Sequence, residues 1–145
     1  MSTVREILKV KGSAIWSVKP QDTVKTTLKF MAEKNVGAVL VMEGSTIAGI
    51  FSERDLARHL ADHTLEPEKV LIKQMMTTHL VSVSPSQTTD ECMSLMVTKR
   101  IRHLPVLEEG KLLGVISIGD VVNRIIEDHK FSIKQLESYV TGEPQ

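Results

Sequence analysis

Two segments of this 145-residue chain carry residue types whose spacing could do chemistry. Gly49-Ile50-Phe51-Ser52-Glu53-Arg54-Asp55 runs out of an aliphatic stretch into a polar one, and Gly114-Val115-Ile116-Ser117-Ile118-Gly119-Asp120 does the same again. A serine followed three residues later by an aspartate, where a strand gives way to a helix, has two readings. In the first, serine caps the helix and aspartate is the acidic residue of its first turn. In the second, the carboxylate accepts two hydrogen bonds from the vicinal hydroxyls of a ribose, with the serine hydroxyl supporting it, as an acidic side chain does in dinucleotide folds. The readings are compatible, because a cap can aim the carboxylate at a ligand.

The segment Arg100-Ile101-Arg102-His103-Leu104-Pro105-Val106 is the other informative one. Proline removes a ladder donor and holds Leu104 extended, so this edge is expected to expose backbone groups that could read a purine. Three cationic or potentially cationic side chains enter the same edge. They either form a solvated face, or Arg102 and His103 reach a phosphate, for which a guanidinium fork is well shaped. The matching stretch earlier in the chain, Gly37-Ala38-Val39-Leu40, carries no charge.

Other chemistry-bearing residues read more plainly. His59 and His63 have a helical spacing that can bind zinc, but no third ligand falls in register, so no metal is expected. Cys92 sits at an apolar helical position and reads as core filler, and Trp16 reads as a core residue that could alternatively stack on an adenine. No phosphate-binding glycine loop, nucleophile elbow or His-Glu-x-x-His occurs, so no enzymatic activity is expected.

The elements that must position these residues come from an internal duplication. Sliding the chain along itself sets Ser17-Val18 on Ser82-Val83, Pro20 on Pro85, Thr23 on Thr88, Met31 on Met96, Gly49 on Gly114, Ser52 on Ser117 and Asp55 on Asp120. A preamble repeats too, Val4-Arg5-Glu6-Ile7-Leu8 matching Ile72-Lys73-Gln74-Met75-Met76, with Lys11-Gly12-Ser13 as a loop after the first. Each copy reads as a helical preamble, then a brief extended segment (15–18 or 80–83), then a capped helix beginning after Thr23 or Thr88. Two strands follow in each, 38–42 with 47–51 and 103–107 with 112–116, joined by hairpin turns that contain glycine. A last helix, 55–61 or 120–126, closes the copy. The expected fold is therefore α+β, a tandem β-α-β-β-α repeat. The first repeat with its preamble spans 1–66 and the second with its preamble 67–128. A C-terminal helix and tail span 129–145, with fraying beyond Gly142. A unit this small cannot cover both faces of its sheet, so the copies are expected to pack sheet to sheet about a pseudo-twofold axis, with ligand clefts between them.

Composition narrows the function further. The chain is 41% apolar and 25% charged, with 18 basic side chains against 18 acidic ones and only 3% aromatic residues. Zero net charge disfavours a generic nucleic-acid binder, and few aromatics leave no base-stacking platform. No apolar run approaches the ~20 residues of a membrane span. A single cysteine and no secretory leader suit a reducing compartment, so a cytoplasmic location is expected.

Together the duplicated unit, the Gly-x-x-Ser-x-x-Asp segment in both copies, the 101–106 strand and the 72–77 preamble resemble a cystathionine-β-synthase-type (CBS) domain pair, or Bateman module. The resemblance runs from about Val4 to Ile126. It implies a non-enzymatic regulatory module that binds an adenosine compound (AMP, ADP, ATP, NAD or S-adenosylmethionine) in the clefts between the copies and modulates an unidentified partner protein. It also implies a homodimer in which four copies form a flat disc. By that resemblance Ser117 and Asp120 hold the ribose in the second-copy site, with backbone near His103, Leu104 and Pro105 facing the adenine. Ser52 and Asp55 do the same in the first-copy site beside Gly37 and Ala38. Arg102 and His103 match positions from which some members reach phosphate, and Arg54 is a further candidate. The alternative is a structural interaction module whose clefts are empty and whose Ser-x-x-Asp segments are caps alone.

Overall fold

Hairpin chemistry fixes the centre of each copy. The computed structural model describes residues 1–12 and 14–141. Strand β2 (Ala38–Glu43) turns at Gly44 into β3 (Thr46–Ser52), and β4 (His103–Glu108) turns at Glu109 and Gly110 into β5 (Lys111–Ser117). Gly44, Glu109 and Gly110 all have positive φ, as a tight hairpin needs. Both antiparallel pairs carry a register shift at the same place, after Val41 and after Val106, so the duplication extends to the irregularity. The remaining elements are α1 (Val4–Lys11), β1 (Ser17–Val18), α2 (Val24–Lys34), α3 (Glu53–Asp62), a 3₁₀ turn at Ile72–Gln74, α4 (Thr89–Lys99) and α5 (Ile118–Thr141). The expected caps form: Thr23 accepts from the Thr26 N–H at 3.2 Å and Thr88 from the Glu91 N–H at 3.1 Å. Asn35 and Arg100 close α2 and α4 in the left-handed conformation.

The chain divides into two compact bodies, and their boundaries differ from the repeat boundaries in sequence. One body joins residues 1–14 to 81–145, and the other is residues 15–80. The preamble helix α1 precedes the first copy in sequence, yet Val4 and Ile7 lie in the core of the second with Val83, Cys92, Met96, Leu104, Val106, Ile116 and Val121. Ile72 and Met75 precede the second copy and lie in the core of the first with Val24, Met31, Val39, Val41 and Phe51. Backbone bonds repeat the exchange: the Val4 N–H donates to Gln87 O at 2.9 Å, and the Ile72 N–H to Asp22 O at 2.8 Å.

Three local expectations are corrected. The second preamble is a 3₁₀ turn, because Thr77 leaves helical geometry to exchange backbone bonds with Ile50 at 2.8 and 2.9 Å. Lys11, expected in a loop, is the last residue of α1, and Gly12 ends the helix at φ 88°. The second copy lacks the third strand of the first. In the first copy the Leu40 N–H donates to Trp16 O at 3.1 Å, and Ser17 and Val18 pair in parallel with Leu40 and Val41. Pro105 stands at the matching place without an N–H, so that pairing shrinks to a bridge between Val83 and Val106.

The closing helix does not stop near Ile126. Between Val121 and Val140 the sequence has no glycine or proline, and α5 runs unbroken for 24 residues, about 36 Å. The expected fraying beyond Gly142 falls outside the described residues. No helix among them is long and apolar enough to cross a membrane.

Crossing the Thr77 segment over β3 requires Gly49. A Cβ there would stand 2.7 Å from Thr77 O and 2.9 Å from Met76 Sδ. At Gly114 it would meet only the movable Leu8 Cδ2, at 3.0 Å. Gly49→Ala is expected to destabilise the protein by about 1–3 kcal/mol, from steric strain against backbone, and Gly114→Ala by less. Urea denaturation of the two variants checks the order.

Candidate functional site

In the first copy the antiparallel register places Ala38 opposite Ser52, where β3 enters α3. The Glu53 N–H donates to Gly37 O at 3.0 Å, so Gly37 and Ala38 are fixed beside the helix start. The Ser52 N–H and Oγ donate to Asp55 Oδ2 at 2.9 and 3.2 Å, and the Asp55 N–H returns a bond to Ser52 Oγ at 3.4 Å. This is a complete capping box. The other carboxylate oxygen, Oδ1, accepts from Thr77 Oγ1 at 2.9 Å. Ser52, Asp55, Gly37 and Ala38 are thus brought together. Arg54 is exposed and already engaged.

The second copy repeats this frame with different chemistry. His103 lies opposite Ser117, and the Ile118 N–H donates to Arg102 O at 2.8 Å. The Ser117 N–H donates to Asp120 Oδ2 at 2.8 Å, and the Asp120 N–H to Ser117 Oγ at 3.2 Å. Here a lysine takes the place of the threonine. Lys11 Nζ donates to Asp120 Oδ2 at 2.6 Å and to Val115 O at 2.7 Å. Ser117, Asp120, Arg102 and His103 are brought together, the Arg102 side being exposed.

Leu104 and Pro105 take a different place from the expected open edge. Leu104 is fully buried and laddered to Ile116. Pro105 O accepts the Val83 N–H at 3.0 Å, so this carbonyl already has one partner. Proline removed one donor, but the brief segment before α4 still covers the acceptor.

Three site-lining residues are not among those the sequence singles out as candidates. Thr77 and Lys11 lie far in sequence from the aspartates they touch; the repeated preamble was the only sign that something would cross there. Glu53 is the third. Its carboxyl atoms stand 3.6–3.8 Å from where a Gly37 Cβ would be, so the first-copy edge expected to be uncharged has an acid over it.

Burial pushes the Asp120 carboxyl up, but the bonds from Lys11 and Ser117 outweigh it and hold the group below its ordinary 3.8. A carboxylate with a lowered folded-state pKa contributes stability that is complete above about pH 4 and lost as pH falls through the folded value. Lys11→Met removes one source of that lowering. Its acid-unfolding midpoint, followed by circular dichroism, is expected at higher pH than that of the unsubstituted chain.

The other singled-out residues lie elsewhere. Cys92 is fully buried and its thiol is pushed up to about 11, chiefly by burial and then by Glu91, which suits core packing. Trp16, expected in the core, is 40% exposed, with Phe30 edge-on at 6.3 Å and Lys34 Nζ 4.6 Å above its ring. His59 and His63 stack at 4.8 Å. No group of three metal-ligating side chains stands together among the described residues. A groove of about 380 Å³ lined by Ser17–Asp22 and Met42–Gly44 lies at the turn end of the first hairpin, the far end from Ser52.

Comparison with known proteins gives this frame a family. The CBS domain model matches twice, over residues 3–62 and 72–127. The chain belongs to the CBS-domain family. It is a CBS domain pair, a regulatory module. The CBS domain-containing protein CBSX3, mitochondrial, of Arabidopsis thaliana is 32% identical over 151 aligned residues, covering 97% of this chain and 73% of the plant protein. A solved CBS-domain protein from Burkholderia ambifaria is 47% identical, with TM-score 0.81, covering 88% of this chain and 96% of that one. The CBS domain pair of protein MJ0100, solved with 5′-methylthioadenosine and S-adenosyl-L-methionine, has TM-score 0.74 over 89% of this chain and 98% of its own; at 18% identity that likeness is one of fold.

Proposed function

We propose that this CBS pair is a non-enzymatic sensor that binds an adenosine-containing nucleotide, AMP, ADP, ATP or NAD, at the strand-to-helix junction of each copy, and modulates a partner protein. The observation that carries the reading is the paired carboxylate. Asp55 and Asp120 are each held by the backbone N–H of the preceding serine at a helix start, beside the matching edge residues Ala38 and His103. A carboxylate fixed in this way is ready to accept from vicinal hydroxyls without further ordering. That MJ0100 holds two adenosyl compounds is in keeping with it. Ser52 and Ser117 orient the carboxylates, Gly37, Ala38 and the backbone at His103 border the base, and Arg102 is a phosphate contact, with His103 and Arg54 available to a ligand that displaces their present contacts.

The test is a thermal-shift panel of AMP, ADP, ATP, NAD, NADH and S-adenosylmethionine. A ligand at ~100 times its dissociation constant adds about 2.7 kcal/mol, several degrees at this size. Silence across the panel removes the reading and leaves the alternative, an interaction module, which the complete capping box at Ser52 and Asp55 also fits.

The reading includes self-association and a reducing, cytoplasmic setting, the latter resting on one buried cysteine. Self-association is supported by α5, where Ile126, Ile133, Leu136 and Val140 recur at helical spacing and are all exposed, Leu136 at 64%. Leu136→Asp is expected to shift sedimentation from dimer to monomer without lowering the helical circular dichroism signal.

A further inference from the structure

We propose that Lys11 makes the second-copy site selective for adenosine compounds that carry a phosphate, and against cationic ones, while the first-copy site lacks this preference. The inference rests on the reading that Asp120 receives the ribose. Lys11 is held at both ends of its reach: its backbone closes α1, and its ammonium bridges Asp120 Oδ2 and Val115 O. The Ser117 N–H and the lysine both donate to Oδ2 and not to Oδ1. Ribose hydroxyls can therefore use Oδ1 while the ammonium stays.

In the first copy both oxygens of Asp55 are engaged, Oδ2 by Ser52 and Oδ1 by the uncharged Thr77 hydroxyl. The nearby edge there carries the Glu53 carboxyl against Gly37, where the second copy has Ile118 against Arg102. The aspartate thus meets an ammonium in the second copy and a hydroxyl in the first, where the Glu53 carboxyl also stands at Gly37 beside the Arg54 position. A 5′-substituent lies only a few ångströms beyond the ribose. At an effective dielectric constant of about 35, between the near-surface protein value and water, a unit charge about 7 Å from the ammonium changes affinity roughly tenfold, favourably for phosphate and unfavourably for a sulfonium.

The experiment uses the full chain carrying Asp55→Asn, so that the second-copy site dominates, with and without Lys11→Met. AMP, adenosine and S-adenosylmethionine are titrated by calorimetry at low and high salt. Lys11→Met is expected to weaken AMP about tenfold, leave adenosine within about threefold, and leave S-adenosylmethionine unchanged or tighter; Lys11→Arg keeps the preference for AMP. The preference for AMP over adenosine should also fall with salt in the chain that retains Lys11. If all three ligands bind but the AMP-to-adenosine ratio is the same with methionine at position 11, the selectivity role is wrong. If none binds even with Lys11 present, the ribose reading itself fails, which is a different result.

Discussion

Replacing Ile72 by alanine is expected to destabilise the protein by about 2–5 kcal/mol, and to loosen the body formed by residues 15–80. Ile72 is fully buried among Val18, Val24, Met31, Val39, Val41 and Phe51, although it stands in the preamble of the second copy. Its N–H donates to Asp22 O at 2.8 Å, and Lys73 N–H to Pro20 O at 3.0 Å, so the same turn also satisfies the backbone ahead of α2. Removing three carbons leaves a cavity next to Phe51 that a sheet and one helix cannot close. Urea denaturation gives the loss, and hydrogen exchange gives its location: protection should fall across residues 15–80. The mirror variant, Ile7→Ala, should instead loosen the body holding residues 81–141. Loss of protection at 81–127 in Ile72→Ala would mean that the preamble serves the copy it precedes.

That exchange was not legible in the chain, whereas much else was. The duplication, the hairpins at Gly44 and Gly110, the caps at Thr23 and Thr88 and the junctions at Ser52 and Ser117 are written in local chemistry: positive φ, side-chain oxygens and a fixed period. Each needs only neighbours in sequence. Which body a preamble joins is decided by where the chain goes after Gly12 or after Thr77, and apolar spacing is the same for either destination. Lys11 shows the same limit. One more turn of α1 carries its ammonium to Asp120, whereas the segment after Ile72 unwinds and delivers Thr77 to Asp55.

Two further differences had a signal whose consequence lay one step away. Pro105 was plainly a missing donor; the loss fell on the parallel partner segment, which shrinks to a bridge at Val83. The run from Val121 to Val140 has no breaker, so α5 continues past the end of the repeat and turns Ile133 and Leu136 outward. Trp16 lies beyond such reasoning, because only the positions of Phe30 and Lys34 explain why its ring stays at the surface.

Asp120→Asn is expected to weaken adenosine-ligand binding at the second copy by about 1–3 kcal/mol, roughly 5–150-fold, the range of a charge-assisted hydrogen bond. Asparagine keeps an oxygen that can accept the Ser117 N–H, so α5 should still start at the same residue and the fold should survive. What it removes is the negative charge that strengthens bonds from ribose hydroxyls, and with it the counter-charge of Lys11. Adenosine should suffer the full loss, and AMP less, because removing the negative charge also relieves its repulsion of phosphate and leaves the Lys11 ammonium uncompensated; this is the reverse of Lys11→Met, whose loss should fall on AMP. If the Ser-x-x-Asp segments are caps and nothing more, the variant loses at most ~1 kcal/mol of fold stability and no ligand shift changes. Calorimetric titration beside a melting curve, on Asp55→Asn, Asp120→Asn and the double variant, distinguishes the two. Asp55→Asn should weaken the first-copy site in the same way, and the double variant should be weakened at both sites. Retention of full affinity in the double variant would take the ribose off both carboxylates.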